Sequence, residues 1–394
     1  MTISSVLPQT IRWGIISAGK ISSDFTKAIA ATKGATAAAV AARSANAAAQ
    51  FASQHSIPKS YGSYDDLLRD PDIDVVYVGS IADSHSKLAT KSILAGKPTV
   101  VEKPMTISLK ETQHLVSLAK KTNTFLMEGM WTRCFPAMRK IRDIIASGAI
   151  GDIITVQGDF GWNASASPYP TDRIWNPKSG GMTLDVGMYM AQLGQVAYPN
   201  ATVDQVQSMG TMRHGVDHAV LSNIMYSKSR YSGDNVMDDR NGNNDSHRKG
   251  LLQFYITGSA NTEERVTVQG THGRIVVDPP AHIPTLVRVH YDEGRGASSS
   301  SREEIYHYPL PDDTHTSWNY PQSIGFTHQI QEVGMALRNG EKECRHFTLR
   351  DSVQVASILD DILNQVRGGG CDGDVVEDSY LVNGYVREAM AIPN

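Results

Sequence analysis

The chain has little cysteine, no excess of either charge and no long hydrophobic run. Only three of its 394 residues are cysteines (Cys134, Cys344 and Cys371), and their wide, irregular spacing argues against a disulfide framework or a structural zinc site. The 37 Lys and Arg residues are balanced by 41 Asp and Glu residues, which leaves a net charge of −4. We therefore expect no nucleic-acid partner and no anionic membrane as a partner.

The sequence also lacks the usual export and membrane signals. The first ten residues have neither the basic start nor the apolar run of a secretory signal, and no run of about 18 apolar residues occurs that could span a bilayer. Together with the scarcity of cysteine, this predicts a cytoplasmic protein. The length predicts two or three domains at roughly 150 residues each.

The first third of the chain alternates short apolar runs with amphipathic segments of helical spacing. This alternation is typical of parallel strands joined by helices, so we assign residues 1–133 to a doubly wound, Rossmann-type α/β domain. The predicted strands are one that begins near Arg12, then Thr36–Ala42, Asp74–Gly79 and Pro98–Val101.

From residue 134 to residue 394 strand-like runs follow one another closely, which predicts an α+β domain with a mainly antiparallel sheet. We expect a final helix, 351–366, that can pack back on the first domain. Two polar stretches, 228–249 and 291–302, are rich in Gly, Ser, Asn and Asp, and we interpret them as solvent-exposed hairpin insertions.

The loop after the first strand carries a reduced form of the dinucleotide fingerprint G-x-G-x-x-G. Its three positions are Ser17, Gly19 and Ser22, so one glycine remains and the other two residues are small. We predict that Ser17, Gly19 and Ile21 contact a dinucleotide at the helix N-terminus. The alternative is an ordinary turn from strand to helix.

The end of the second strand favours NADP over NAD. An NAD-specific domain usually carries an acidic residue there, whereas this chain has Arg43 and Ser44. A guanidinium and a hydroxyl suit a 2′-phosphate. The alternative is that Arg43 is an ordinary surface residue.

Two clusters carry residues suited to proton transfer. Glu102 and Lys103 end the fourth strand, at the edge of a parallel sheet where ligands bind, and Asp185 and Tyr189 lie four residues apart within a predicted helix, 182–193. A nearby ammonium would lower the pKa of the phenol, so Lys103, Tyr189 and Asp185 could form an acid–base relay. Each residue could instead be structural.

Further candidates surround these two clusters. Ser80 and His85 follow the third strand and are expected near the nicotinamide or ribose, together with Glu102 and Lys103. Trp131, Arg133, Trp162 and Asn163 are candidate substrate contacts, with Asp185, although core packing is an alternative for the aromatic residues. We expect no metal site.

Five segments of the chain carry a resemblance to a known family. They are G-I-I-S-A-G-K-I-S-S-D-F, I-P-K-S-Y-G-S-Y-D-D-L, A-G-K-P-T-V-V-E-K-P, F-L-M-E-G-M-W-T-R-C-F-P and G-G-M-T-L-D-V-G-M-Y. The chain resembles the glucose–fructose oxidoreductase and inositol dehydrogenase family, in the branch of dimeric dihydrodiol dehydrogenase and NADP-dependent D-xylose dehydrogenase. The resemblance implies catalytic Lys103 and Tyr189, Asp185 near the substrate, Arg43 at the 2′-phosphate and a cis peptide before Pro104. It also implies homodimers formed through an open-faced sheet.

These observations predict an NADP-dependent dehydrogenase that acts on a secondary alcohol or hemiacetal carbon of a cyclic polyol. We expect oxidation of D-xylose or a related aldose at C1 to a lactone, and we keep the trans-diol of a reduced arene as the alternative substrate. A third possibility is a regulator of the same fold that binds nucleotide without turnover. The pair of Lys103 and Tyr189 argues against it, because a sensor needs no acid–base groups.

Overall fold

The computed structural model describes residues 10–227, 249–292, 301–313 and 317–368. In its first unit, strands and helices alternate. They are β1 Ile11–Ile16, α1 Lys20–Ala30, β2 Ala35–Ala41, α2 Ala45–His55, β3 Lys59–Tyr61, α3 Tyr64–Arg69, β4 Val75–Val78, α4 His85–Leu94, β5 Thr99–Glu102, α5 Leu109–Thr122 and β6 Leu126–Gly129.

The six strands of this unit form one parallel sheet in the order β3-β2-β1-β4-β5-β6. β4 and β5 are entirely buried, as is usual for strands covered by helices on both faces. The chain leaves β1 in one direction towards β2 and later returns to β4 on the other side. The carboxyl ends of β1 and β4 therefore flank the crevice where such sheets bind ligands.

A short 3₁₀ helix, Trp131–Cys134, leads into the second unit. Its elements are α6 Pro136–Ala146, β7 Ile153–Gly161, α7 Met188–Ala191, α8 Leu193–Ala197, β8 Thr202–Arg213, β9 Val216–Ser227, β10 Lys249–Thr257, β11 Val266–Gly270, β12 Gly273–Val277, β13 Leu286–Asp292, β14 Ser301–His307, α9 Phe326–Arg338 and α10 Leu349–Gly368. A π-helical turn, Thr183–Gly187, precedes α7.

The second unit is built on an eight-stranded sheet in the order β14-β13-β12-β11-β7-β10-β9-β8. β7 and β10 pair parallel and the other neighbours pair antiparallel, so the sheet is mixed, although antiparallel pairs dominate as predicted. The sequence pattern predicts strands at 153–158, 216–225, 251–257, 266–269 and 274–277, and so it misses β8, β13 and β14. β8 is largely exposed at the edge of the sheet, which removes the apolar signal that marks a buried strand.

The two polar insertions both join antiparallel neighbours. Ser227 pairs with Lys249, and Asp292 pairs with Ser301, so both stretches connect the strands of a hairpin. Their predicted limits were too wide, because β10 begins at residue 249 of the first stretch, and β13 and β14 cover residues 291–292 and 301–302 of the second. Residues 228–248 and 293–300 lie outside the described part of the chain.

Helix α10 joins the two units. The Asp360 carboxylate accepts a hydrogen bond from the Leu109 backbone N–H at the start of α5, 2.9 Å away, and the Gln365 side-chain oxygen accepts one from Ser208 of β8 at 2.8 Å. The helix therefore contacts the first unit as well as the large sheet. No helix in the described part of the chain is long and apolar enough to cross a membrane.

Candidate active site

The loop between β1 and α1 has the geometry of a phosphate-binding turn. Ser17 has a φ of 88°, a backbone conformation that favours glycine, so serine occupies the first fingerprint position at some cost in strain. Gly19 is the N-cap of α1, so no side chain caps this end of the helix. The first turn of the helix also holds no acidic residue. Backbone N–H groups at such an end suit a pyrophosphate.

Ser22, at the third fingerprint position, packs the helix against the sheet. Its hydroxyl donates a hydrogen bond to the Gly79 carbonyl at 3.2 Å, and a Cβ on Gly79 would meet this hydroxyl at 2.3 Å. Only glycine fits at position 79. The close approach of α1 to β4 is the function that the third glycine of the fingerprint usually serves.

Arg43 and Ser44 follow the end of β2 after one intervening residue and are exposed. The Ser44 hydroxyl accepts a hydrogen bond from the Ala47 N–H at 3.4 Å and so caps α2, which leaves Arg43 as the charged group at this strand end. The turn at Gly19 and the guanidinium at the end of β2 together fit a nicotinamide dinucleotide.

Lys103 follows β5 and approaches the second unit. The peptide bond between Lys103 and Pro104 is cis, which confirms the expectation from the resemblance. The Lys103 ammonium donates a hydrogen bond to the Asp185 backbone carbonyl at 2.8 Å, and its Nζ lies 5.0 Å from the centre of the Tyr189 ring. Burial lowers the pKa of Lys103, and the charge of Asp185 opposes that shift.

Asp185 lies in the π-helical turn and is 7 % exposed. Its Oδ2 accepts a hydrogen bond from the Trp162 Nε1–H at 3.0 Å, and its Oδ1 accepts one from Arg173 at 2.6 Å. Lys103 Nζ is 3.9 Å from the same Oδ1. Burial would raise the pKa of Asp185, but the charges of Arg173 and Lys103 outweigh it and hold the pKa below its ordinary value. The carboxyl group is thus an anion at neutral pH.

Tyr189 is buried among aromatic side chains at the start of α7. Trp131 Nε1–H donates a hydrogen bond to its hydroxyl at 2.9 Å, and the rings of Phe160 and Tyr189 are stacked with centres 5.6 Å apart. Burial raises the pKa of Tyr189, against the weaker lowering effect of the Trp131 hydrogen bond. The expectation that Lys103 brings this pKa down is therefore wrong, because desolvation of the phenolate dominates.

The predicted helix 182–193 is also interrupted. A π-helical turn holds Asp185, and ordinary α-helical turns follow from Met188. A π turn has more residues per turn than an α-helix, and such turns occur often at functional sites. Asp185 and Tyr189 nevertheless both face Lys103, as the spacing predicted.

Arg173 is the charged residue of this site that sequence reasoning missed. It lies in a short 3₁₀ helix, Arg173–Trp175, and is half exposed beside Asp185. Its one signal in the sequence is its position shortly before the glycine pair Gly180 and Gly181.

Two predicted cofactor contacts are held inside the first unit instead. Glu102 is buried and accepts hydrogen bonds from the Tyr77 hydroxyl at 2.8 Å and from the Lys103 N–H at 3.1 Å. The His85 ring lies between the carbonyl oxygens of Pro104, 2.8 Å from Nδ1, and Ser80, 3.0 Å from Nε2. Both side chains position the segments around Lys103, and their contact with the cofactor stays a prediction.

Two predicted substrate contacts also have structural partners. Arg133 is 2 % exposed, and its guanidinium bonds to Gln192 at 3.2 Å and lies 3.8 Å from Asp351 of α10. The Asn163 side chain accepts a hydrogen bond from the Ser165 N–H and caps a short 3₁₀ helix. These contacts hold the two side chains in place, and their role in binding substrate stays a prediction.

Trp131 and Trp162, in contrast, lie directly on the acid–base residues, as their bonds to Tyr189 and Asp185 show. Ser80, which lies two residues after the end of β4, is half-buried. In the described residues, no group of three or more His, Cys, Asp or Glu side chains is arranged to hold a metal ion.

The fold and site define a nicotinamide-dependent oxidoreductase that acts on CH–OH groups. Residues 11–130 match the family described as an oxidoreductase family with an NAD-binding Rossmann fold, and residues 138–276 match the GFO/IDH/MocA C-terminal domain. The chain belongs to the GFO/IDH/MocA family.

Known relatives agree with this assignment over nearly the whole chain. Trans-1,2-dihydrobenzene-1,2-diol dehydrogenase of Danio rerio is 34% identical over 361 residues, which covers 90% of this chain and 97% of the relative. Among solved structures, levoglucosan dehydrogenase in complex with NADH and levoglucosan has a TM-score of 0.74 at 19% identity, covering 91% of this chain and 98% of that one. Aldose-aldose oxidoreductase of Caulobacter crescentus, complexed with glycerol, has a TM-score of 0.71 at 18% identity, with coverage of 91% and 98%. These two structures show the same fold.

Proposed function

We propose that this protein is an NADP-dependent dehydrogenase of cyclic polyols, with D-xylose or a related aldose oxidised at C1 to a lactone. The proposal rests on one observation, which is that Lys103, Asp185 and Tyr189 lie close together. Lys103 comes from the sheet edge of the first unit, and the other two come from the second unit. Such a group can bind a ring hydroxyl and accept its proton beside a nicotinamide.

The nicotinamide, when bound, supplies the acceptor for the hydride that leaves the carbon bearing the hydroxyl. The chain must take up the hydroxyl proton. Burial raises the pKa of Tyr189 and lowers that of Lys103, so a free phenolate is disfavoured and the neutral amine form of Lys103 is more accessible than it is in water. We assign Tyr189 to relay the proton: its hydroxyl takes up the substrate proton as it passes its own proton to the neutral amine form of Lys103, which ends the step as an ammonium.

Asp185 orients the substrate in this proposal. It is an anion with Arg173 and Trp162 fixed on its two oxygens, so its position is set before the substrate arrives. A fixed carboxylate can accept a hydrogen bond from a neighbouring ring hydroxyl. Trp131 and Trp162 offer apolar faces for the ring itself.

The preference for NADP rests on Arg43. Arg43→Ala should weaken NADPH binding by about 10-fold or more and change NADH binding little, because only NADPH carries the 2′-phosphate. Quenching of protein fluorescence by each nucleotide measures both affinities. Lys121→Ala, an exposed cation on α5, is the matched control. Equal losses for the two nucleotides would reject the assignment.

Two classes of substrate are candidates, cyclic polyols and trans-dihydrodiols. The charged side chains of Asp185, Arg173 and Lys103 favour a ring with several hydroxyl groups. Such a ring gives each of these side chains a hydrogen-bond partner, whereas a bound ligand that leaves them unpaired binds less tightly. The relatives named trans-1,2-dihydrobenzene-1,2-diol dehydrogenase, together with the aromatic wall, support the trans-dihydrodiol as a second candidate.

A panel of substrates tests the proposal. Initial rates of NADPH formation should give kcat/KM values for D-xylose and related aldoses that exceed those for trans-dihydrodiols. Efficient oxidation of dihydrodiols with no rate on any aldose would favour the second candidate. Nucleotide binding without turnover of any ring alcohol would favour a regulator.

We also propose that the protein forms a homodimer through its large sheet. Exposed apolar side chains of Met209, Leu221 and Tyr255 stand opposite one another on the neighbouring strands β8, β9 and β10, and paired residues share one face of a sheet. A row of this kind on the open face of a sheet suits burial against a second copy. The free, buried thiols of Cys134 and Cys344 support a cytoplasmic location.

A further inference from the structure

A histidine–glutamate pair lies beside Tyr189, and the proposed reaction does not use it. His282 Nδ1 is 2.5 Å from Glu264 Oε2. The His282 ring centre is 5.3 Å from that of Tyr189 and 4.7 Å from that of Phe160. The side chains of the pair are 18 % and 17 % exposed, so a solute can reach them.

The pair is held firmly by the backbone around it. The Thr132 hydroxyl donates a hydrogen bond to the His282 carbonyl at 2.6 Å, and the Ala281 N–H donates one to the Glu264 carbonyl at 2.9 Å. The Asp159 carboxylate accepts one from the Glu264 N–H at 2.8 Å. The imidazole therefore has a defined position against Tyr189, as Lys103 does from the first unit.

The chemistry of the pair determines what it can bind. A carboxylate on Nδ1 holds the imidazole in the form that carries its proton there, which places the acceptor lone pair on Nε2. Nε2 can then accept a hydrogen bond from a hydroxyl group. Phe160 and Trp131 surround the imidazole, with the Trp131 ring centre 6.2 Å away. A polar group in an aromatic wall discriminates between ligands that do and do not satisfy it.

We infer that His282, oriented by Glu264, is a substrate-binding residue that accepts a hydrogen bond from a ring hydroxyl and so favours sugars over arene dihydrodiols. This inference rests on the proposed function and adds a specificity determinant to it. A sugar carries further hydroxyl groups beyond the one oxidised and its neighbour, whereas an arene dihydrodiol has two in all. Only the sugar can satisfy His282 in addition to Asp185 and Tyr189.

The test compares kcat/KM for D-xylose with kcat/KM for trans-1,2-dihydrobenzene-1,2-diol, using NADP and the full chain. His282→Phe should lower the ratio of the two values by about 10-fold or more, since a polar partner is lost for the sugar alone. His282→Gln, which keeps a polar end, should restore part of the ratio. Glu264→Gln leaves the imidazole in place without a charge to orient it, and should lower the ratio by a smaller factor.

His290→Phe is the matched control. His290 forms a second histidine–glutamate pair with Glu303, at 3.5 Å, between β13 and β14. The same substitution there should leave the ratio unchanged. NADPH affinity, measured in parallel, shows that each variant is folded and should stay within about twofold of the wild type.

The outcomes distinguish a failure of the role of His282 from a failure of the proposed function. A wild type that oxidises both substrates, with a ratio unchanged in His282→Phe and Glu264→Gln, would overturn the role of His282 and leave the proposed function standing. A wild type that oxidises the diol and no aldose would also overturn it. No oxidation of either substrate would overturn the proposed function itself.

Discussion

At the scale of single residues, burial shapes the acid–base pair more than the charges around it do. Desolvation disfavours the charged form of any group, and so it moves the pKa of a lysine and that of a tyrosine in opposite directions. Lys103 and Tyr189 show both shifts. Proximity of an ammonium to a phenol is therefore a poor guide to the pKa of a buried phenol.

Removing either member of the pair should stop catalysis while nucleotide binding survives. We expect Lys103→Met and Tyr189→Phe each to lower kcat by at least about 100-fold, the usual scale for losing general acid–base help. Steady-state rates and NADPH titrations measure the two properties separately. Near-normal turnover in both variants would refute the mechanism.

Loss of Arg173 should change the pH dependence of the reaction. The charge of Arg173 helps to hold the pKa of Asp185 below its ordinary value, so Arg173→Ala should raise that pKa. Asp185 must be an anion to orient the substrate. As the pH is lowered, the activity of the variant should therefore begin to fall at a higher pH than the activity of the wild type. A profile of kcat/KM against pH measures the shift.

Arg288→Ala is the control for this profile, because Arg288 pairs with Asp278 through a comparable 2.8 Å hydrogen bond on β13. The acid limb of the Arg288→Ala profile should coincide with that of the wild type. An unshifted limb in Arg173→Ala would show that Arg173 does not set the ionisation of Asp185.

At the scale of elements, the catalytic turn is anchored by a strand of the large sheet. The buried Asp217 carboxylate of β9 accepts a hydrogen bond from the Thr183 N–H at 2.6 Å, at the start of the π-helical turn. Gly181 lies just before that turn with a φ of +91°, and a Cβ there would meet Asp217 Oδ1 at 2.1 Å. Glycine is required both by the backbone conformation and by the close carboxylate.

Gly181→Ala should therefore be costly to stability and to activity. Gly148 also has a positive φ, +70°, but a Cβ there meets nothing within 4 Å, so Gly148→Ala isolates the backbone strain. We expect about 1 kcal/mol of destabilisation from strain in both variants and about 1–3 kcal/mol more in Gly181→Ala from overpacking.

Urea denaturation compares the two alanine variants, and kcat/KM should fall in Gly181→Ala alone. Equal stability and activity of the two variants would contradict the proposed anchoring by Asp217.

At the scale of the whole molecule, the site exists only where the two units meet. The first unit supplies Lys103 and the second supplies Asp185 and Tyr189, while α10 contacts both units. The large sheet keeps one face for these contacts and leaves the row of Met209, Leu221 and Tyr255 on the other. The candidate active site and the proposed dimer contact therefore lie on opposite faces of one sheet.

Leu221→Glu should convert the proposed dimer to a monomer with little loss of kcat/KM, because a charge in the middle of the row cannot be buried without a partner. Light scattering coupled to size-exclusion chromatography measures the mass. Ile305→Glu is the control, since Ile305 is also exposed but lies on β14 at the far edge of the sheet. A wild type that is monomeric would contradict the dimer.

The sequence by itself determined four of the six strands of the parallel sheet, the turn at Gly19 and the grouping of Lys103, Asp185 and Tyr189. These features are encoded locally, by apolar runs that end in turn residues and by side chains placed at strand ends or four residues apart. The edge strand β8 escaped prediction because a largely exposed strand carries little apolar periodicity.

Tertiary structure decided the rest, because it depends on which distant segments meet. Arg173 contacts Asp185, Arg133 is buried against Gln192, and His282 pairs with Glu264. The sequence around each of these residues does not predict its partner. The direction of the Tyr189 pKa shift also depends on the protein packed around it. Burial and pairing across the chain are properties of the folded molecule, and they turn a list of candidate side chains into a site.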